Sequence, residues 1–151
     1  MILQVKDNKE IAKQNQKKGR NILHYFAKYA SKSDLEVDYI ESLYEEIIMK
    51  RKISFLEKDQ KGRAPLHLAA QSSFLFLIKK LIEHDVKVDE TDGMGRTPLH
   101  LATIYQQVEA IQLLIRHGAG IQTIDKHGGS LLTLAINQGK QLEIDKYYTE
   151  S

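Results

Sequence analysis

The chain has 151 residues, of which 42% are hydrophobic and 28% are charged, and this composition fits one soluble domain with a core of ordinary size. It contains no cysteine, which excludes disulfide frameworks, thiolate zinc sites and cysteine nucleophiles. Its 22 basic and 20 acidic residues leave a formal net charge of +2, which is too small for a dedicated nucleic-acid binder.

The N-terminal segment shows no targeting signal. Lys6 introduces charge before any apolar stretch of the length found in signal peptides has formed. No apolar run further along the chain approaches the roughly 18 residues that span a membrane. We therefore expect residues 1–16 to form an N-terminal cap segment, and we expect the protein to lie in the cytosol or the nucleus.

A repeat of 33 residues follows the cap segment. The stretch Asp59–Ala69 recurs as Asp92–Ala102, and the windows 59–91 and 92–124 share 12 identical positions. Each window predicts a turn, a short helix, a second turn and a second helix, because Pro65 and Pro98 suit a first helical position. Neither helix could bury its apolar face alone, so neighbouring units must stack.

The first unit, residues 17–58, is longer than the others. Gly19–His24 aligns with Gly62–His67 at a spacing of 43, which leaves ten extra residues between the two helices of this unit. Ser33-Asp34-Leu35-Glu36 fits a capping box, so we expect a helix from about Asp34 to Lys50. Residues 33–49 hold six acidic and no basic residues, whereas residues 1–32 have a net charge of +6. The apolar stripe of this helix comprises Ile40, Leu43, Tyr44, Ile47 and Ile48.

The fourth unit, residues 125–151, departs most from the pattern. It has Thr133 at the position of His67 and His100, and its second helix is short, which predicts a degenerate C-terminal capping repeat. Asp85 stands where Gly118 ends the second helix of the next unit, so we expect that helix end to need another cap.

Thr-Pro-Leu-His-Leu-Ala at residues 97–102, on a period of 33, resembles the ankyrin repeat. The resemblance covers about residues 17–148 and implies an all-α solenoid of stacked helix-turn-helix units with short turn tips. In that family the threonine and histidine of the motif form a hydrogen bond that ties turn to helix. Only Thr97 and His100 keep both partners, because Ala64 precedes His67.

The resemblance implies a non-catalytic protein-binding module that is monomeric when alone. Contacts in the family come from the turn tips and the exposed sides of the first helices. Of 23 such positions nine are basic and none is acidic, which favours a partner with an acidic or mixed acidic and apolar surface. Alternatively, lysine and arginine are common in such tips whatever the partner, and the acidic residues simply lie elsewhere in the chain. The predicted partner-binding residues are Arg20, Lys28, Tyr29, Lys61, Arg63, Met94, Arg96, Ile104, Tyr105, Ile124, Lys126 and His127.

The third unit has apolar residues where exposed positions are expected. Tyr105 beside Met94, Ile104 and Ile124 is typical of an interface hot spot, with Arg96 at its edge. Alternatively, Ile104 and Ile124 cover the joint with the fourth unit. The first interpretation predicts that Tyr105→Ala or Arg96→Glu weakens partner binding without loss of helix.

Other chemistry has little support. Stacking holds His24, His67 and His100 about 8–10 Å apart, which is too far for one zinc ion, so we expect neither metal nor cofactor. No catalytic or nucleotide-binding motif occurs. An adaptor or competitive inhibitor is the first functional interpretation. A second is a host-targeting viral or bacterial effector, since the turn Asp92–Thr97 resembles the corresponding turn of short viral inhibitor-of-NF-κB-like ankyrin proteins. A third is RNA or phosphoinositide binding by the basic tips.

Overall fold

A computed structural model describes residues 22–29 and 36–137, without the side chains of Ile22, Tyr25, Tyr29 and Ile47. The predicted cap segment 1–16, the first turn tip and most of the capping box at 33–36 lie outside the described residues, as does the chain beyond Asn137. The described part contains seven α-helices, and its only β-pairing is an isolated bridge between Ile124 and Ser130, so the all-α fold is confirmed. The helices are α1 (Ile22–Tyr29), α2 (Val37–Leu43, continued by a π-helix over Tyr44–Met49), α3 (Pro65–Gln71), α4 (Leu75–Glu83), α5 (Pro98–Ile104), α6 (Val108–Arg116) and α7 (Leu131–Asn137).

The first helices of the units pack side by side in one layer. Helix α3 lies between α1 and α5, and α5 packs in turn against α7. Small residues allow this close approach, since Ala69, Ala70 and Ala102 are fully buried. Helices α4 and α6 form a second layer on one side. Their apolar faces meet the first layer through Leu77, Ile78 and Leu114, so the core runs along the stack rather than around one centre.

The insertion in the first unit forms a helix that changes its winding. Ile40, Tyr44 and Ile48 are buried, as the apolar stripe predicted. The expected helix from about Asp34 to Lys50 is present over Val37–Met49, but from Tyr44 onward it is a π-helix of six residues. A π-helix has about 4.4 residues per turn, which keeps residues four apart on nearly the same face. The Tyr44 ring packs against Phe26 and, edge-on at 5.6 Å, against Phe76.

The second helices end in one recurrent conformation. Lys52, Asp85 and Gly118, which are spaced 33 residues apart, have φ values of 51°, 58° and 86°. In each case the next residue donates its backbone N–H to a carbonyl five residues back, as Val86 does to Leu81 at 3.2 Å. The expectation that Asp85 needs another cap is therefore wrong, because the aspartate itself adopts the left-handed conformation.

This conformation makes Asp85 a position for stabilisation. Glycine enters the left-handed region without steric cost, so we expect Asp85→Gly to raise the free energy of unfolding by about 1 kcal/mol. Gly118→Ala, at the equivalent helix end, should lower it by a similar amount. Urea denaturation followed by circular dichroism measures both changes. Equal stability of Asp85→Gly and the parent chain would show that Asp85 bears no conformational cost.

No helix in the described part of the chain is long and apolar enough to span a membrane.

Candidate partner-binding site

The turn tips of the second and third units have the same internal structure. The Asp59 carboxylate accepts the backbone N–H of Lys61 at 3.0 Å and that of Arg63 at 2.9 Å through Oδ1. Its Oδ2 atom accepts the Arg63 side chain, with Nε at 3.0 Å. Asp92 repeats this arrangement with Arg96, whose Nε lies 2.9 Å from Oδ2. Both carboxylates are buried, so each arginine neutralises a charge inside its own turn.

The tips are also joined to one another. The backbone N–H of Gly93 donates to the Lys61 carbonyl at 2.9 Å, and that of Lys126 donates to the Met94 carbonyl at 2.9 Å. The contact at the first joint is close, since a Cβ on Gly62 would lie 2.6 Å from the Gly93 nitrogen. Gly62 has a φ of 73°, so glycine is required there on both grounds. The second, third and fourth tips therefore form a continuous row of fixed geometry.

The structure corrects the expectation that the tip row presents free positive charge throughout. Arg63 is only 8% exposed and Arg96 is partly buried, and both are paired with aspartate. Lys58 reaches Glu90 at 2.8 Å and the Thr91 carbonyl at 3.1 Å. Among the tip residues predicted to bind a partner, the exposed ones are Lys61, Lys126, His127 and the uncharged Met94.

This pairing changes the test that sequence reasoning suggested. Arg96→Glu would place a second carboxylate beside the buried Asp92, so the variant would lose stability through like-charge repulsion. Its effect on binding would then reflect unfolding rather than a lost contact. Variants of exposed residues are needed instead.

Helix α5 brings apolar side chains to the surface only at its end. Residues Pro98–Thr103 are buried, Ile104 is half-buried, and Tyr105 immediately after the helix is 50% exposed. Met94 in the third tip is 40% exposed and Ile124 ahead of the fourth tip is 62% exposed. The expectation that these four residues are exposed is thus wrong for Ile104 alone.

The first unit adds less to the predicted set. Lys28 is half-buried at the end of α1. Arg20 and the Tyr29 side chain lie outside the described residues. Sequence reasoning also missed Ile136, which is 45% exposed on α7 although its equivalents Ala70 and Thr103 are buried. Among the described helices, α3 and α5 each have a first helix packed on both sides, whereas α7 packs against α5 alone. The departure of the fourth unit from the repeat pattern was a usable signal for this difference.

The recurrent histidines join neighbouring units. His67 accepts the Ala64 backbone N–H through Nδ1 at 3.1 Å and donates Nε2–H to the Arg96 carbonyl of the next unit at 2.9 Å. His100 forms the equivalent bonds with the Thr97 N–H and the Thr123 carbonyl, at 3.0 and 3.1 Å. Both ring nitrogens are thereby occupied. No group of three potential metal ligands occurs among the described residues.

The fourth unit replaces this arrangement with hydroxyl groups. Ser130 accepts the Thr133 backbone N–H at 3.2 Å, and the two hydroxyl oxygens lie 3.0 Å apart. Thr133 thus takes the sequence position of the histidine, but the bond ties α7 only to its own turn. The absence of a histidine here ends the series of joints between units.

Comparison with known protein families agrees with this architecture. The family model described as ankyrin repeats (3 copies) matches residues 2–92, 30–125 and 75–147. A search of curated proteins found no significant match. Overlapping matches across nearly the whole sequence, together with stacked helix pairs joined at their turns, place this chain in the ankyrin-repeat family.

Proposed function

We propose that this chain, an ankyrin-repeat protein-protein interaction module, acts as an adaptor or competitive inhibitor that binds a segment with acidic and large apolar residues. The observation that carries the proposal is the exposure of Tyr105. The residues of α5, Pro98–Ile104, and the two residues that follow Tyr105 are buried or half-buried, whereas Tyr105 itself is 50% exposed. An exposed aromatic ring on a rigid support is typical of a residue that anchors a partner.

The charge of the partner follows from the tip row. Lys61 and Lys126 lie at the tips of the second and fourth units, and neither has an ion pair within the described residues. The bonds between tips hold the backbone at these two lysines, because the Lys61 carbonyl and the Lys126 N–H take part in them. A carboxylate on the partner would therefore gain attraction from their ammonium groups. Exposed Met94 and Ile124 would contact its apolar side chains.

The test is a selection from a random-peptide display library with the intact chain as bait. The expected pool contains acidic residues next to aromatic or large aliphatic ones. For the peptide that binds most tightly, Tyr105→Ala should raise the dissociation constant by about 30-fold, as expected for a hot-spot residue. Tyr39→Ala is the matched control, because Tyr39 is 48% exposed on the insertion helix. Equal affinities of the parent chain and Tyr105→Ala would reject this surface.

Comparing a selected peptide with a short RNA distinguishes protein binding from binding of phosphate-rich ligands. Arg63, Arg96 and Lys58 already have carboxylate partners, so among the basic tip residues that the structure describes only Lys61 and Lys126 have no carboxylate partner. We therefore expect a short RNA to bind weakly compared with the selected peptide. Tight RNA binding with a steep dependence on salt concentration would instead support the phosphate-binding alternative.

A further inference from the structure

Three consecutive turns share a backbone framework, and this makes them internal controls for one another. The first residue of each turn donates its N–H to the carbonyl four residues on, at 2.9, 2.9 and 3.0 Å for Asp59, Asp92 and Asp125. Each aspartate also accepts two backbone N–H groups through Oδ1. For Asp125 these come from His127 at 2.8 Å and Gly129 at 2.7 Å. The fourth turn is thus built like the other two.

The fourth turn lacks one component. Gly129 occupies the position of Arg63 and Arg96, so the fourth turn has no arginine to donate to Asp125 Oδ2. No described residue donates a hydrogen bond to that oxygen. Asp59 and Asp92 are each 6% exposed, whereas Asp125 is partly exposed. The equivalent oxygen in the other turns receives an arginine Nε at 2.9–3.0 Å.

The surroundings leave this carboxylate accessible. A Cβ on Gly128 would meet nothing within 4 Å, whereas the equivalent Cβ on Gly62 or Gly95 would touch the next tip. Ile124, directly before the aspartate, is 62% exposed and could pack against the aliphatic part of a long side chain. The fourth tip therefore combines an open carboxylate oxygen with an adjacent apolar surface.

We infer that Asp125 binds an arginine supplied by the partner protein, which takes the place of the arginine missing from the fourth turn. The partner's guanidinium donates to Oδ2 while its methylene groups lie against Ile124. Arginine suits this position because Arg63 and Arg96 show the same turn accepting a guanidinium. The inference rests on the proposed binding function and adds a basic residue to the acidic and apolar segment that Lys61, Lys126 and Tyr105 would contact.

The experiment uses the peptides selected on the intact chain. We expect an arginine at a fixed distance from the apolar residue, and its replacement by citrulline, a neutral analogue, to weaken binding by about 10-fold. Asp125→Asn is the matched variant, since asparagine keeps Oδ1 for the two backbone N–H groups. In that variant arginine and citrulline peptides should bind equally. Unequal binding, or a selected pool without arginine, would overturn the inference.

A second measurement uses the parent chain, so its result does not depend on whether the Asp125→Asn variant folds. In nitrogen-proton correlation spectra, the amide signals of His127 and Gly129 should shift with the arginine peptide more than with the citrulline peptide. Equal shifts would contradict the inference. If Tyr105→Ala weakens binding but citrulline does not, the proposed function stands and only the role of Asp125 fails. If Tyr105→Ala has no effect, the proposed binding surface fails first.

Discussion

Replacing His67 with alanine should lower the free energy of unfolding by about 4 kcal/mol. The ring is fully buried, and its removal leaves the Ala64 N–H and the Arg96 carbonyl without their partners. Each unsatisfied buried group costs about 1–3 kcal/mol, and the cavity adds to this. A loss of this size would be a large fraction of the total stability of a small domain.

Urea denaturation of purified protein measures this loss. His117→Ala is the matched control, because His117 is exposed at the end of α6, and its substitution should change the free energy of unfolding by less than about 0.5 kcal/mol. A loss below about 1 kcal/mol for His67→Ala would show that water replaces the ring without cost.

The same substitution should reduce cooperativity between units. His67 lies in the second unit and its Nε2–H bonds to the third, so the bond belongs to the interface rather than to either unit. In a stacked array, weaker interfaces allow units to unfold separately. We therefore expect a broader unfolding transition and faster hydrogen exchange in α3 than in α5. A transition as steep as that of the parent chain would argue that other contacts alone couple the two units.

Much of the helical framework could be predicted from the sequence because its signals are local and repeated. Proline at the first helical position and the recurring histidine identify α3 and α5, and their period of 33 requires the units to stack. The π-helix could not be predicted in this way. Apolar residues at Ile40, Tyr44 and Ile48 are four apart, which fits the winding of either helix type.

The charge of the site was harder to predict, because composition at the tips says nothing about pairing. Asp59 and Arg63 stand four residues apart, as do Asp92 and Arg96, and this repeated spacing was a usable signal. The set of tip positions began one residue after each aspartate, so it contained Arg63 and Arg96 but not the carboxylates that pair with them. Glycine at position 129 indicates an incomplete turn only once the Asp59–Arg63 and Asp92–Arg96 pairs are known.

Acidification should destabilise the chain well above the pH range in which its carboxylates titrate. Burial lowers the pKa of His67 below its usual value of 6.5, despite the opposing hydrogen bond to Arg96 and the charges of Asp92 and Glu90. Burial likewise lowers the pKa of His100. Both rings must stay neutral in the folded state, because Nδ1 accepts a backbone N–H and could not do so when protonated.

The sign of the effect follows from proton binding. Below about pH 6.5 the unfolded chain protonates both histidines while the folded chain does not, so stability is present above this pH and falls as the pH falls. The slope can reach about 1.4 kcal/mol per pH unit for each neutral histidine, until the lowered pKa of the folded state is reached. Carboxylates with lowered pKa, such as Glu90, which is bonded to Lys58, add a further loss only in a more acidic range.

Urea denaturation at a series of pH values, together with proton spectra of the imidazole rings, tests this expectation. The signals of His67 and His100 should remain those of the neutral ring below the usual histidine pKa of 6.5. A flat stability profile between pH 6.5 and 5 would contradict the role of the two buried histidines as joints that require the neutral ring.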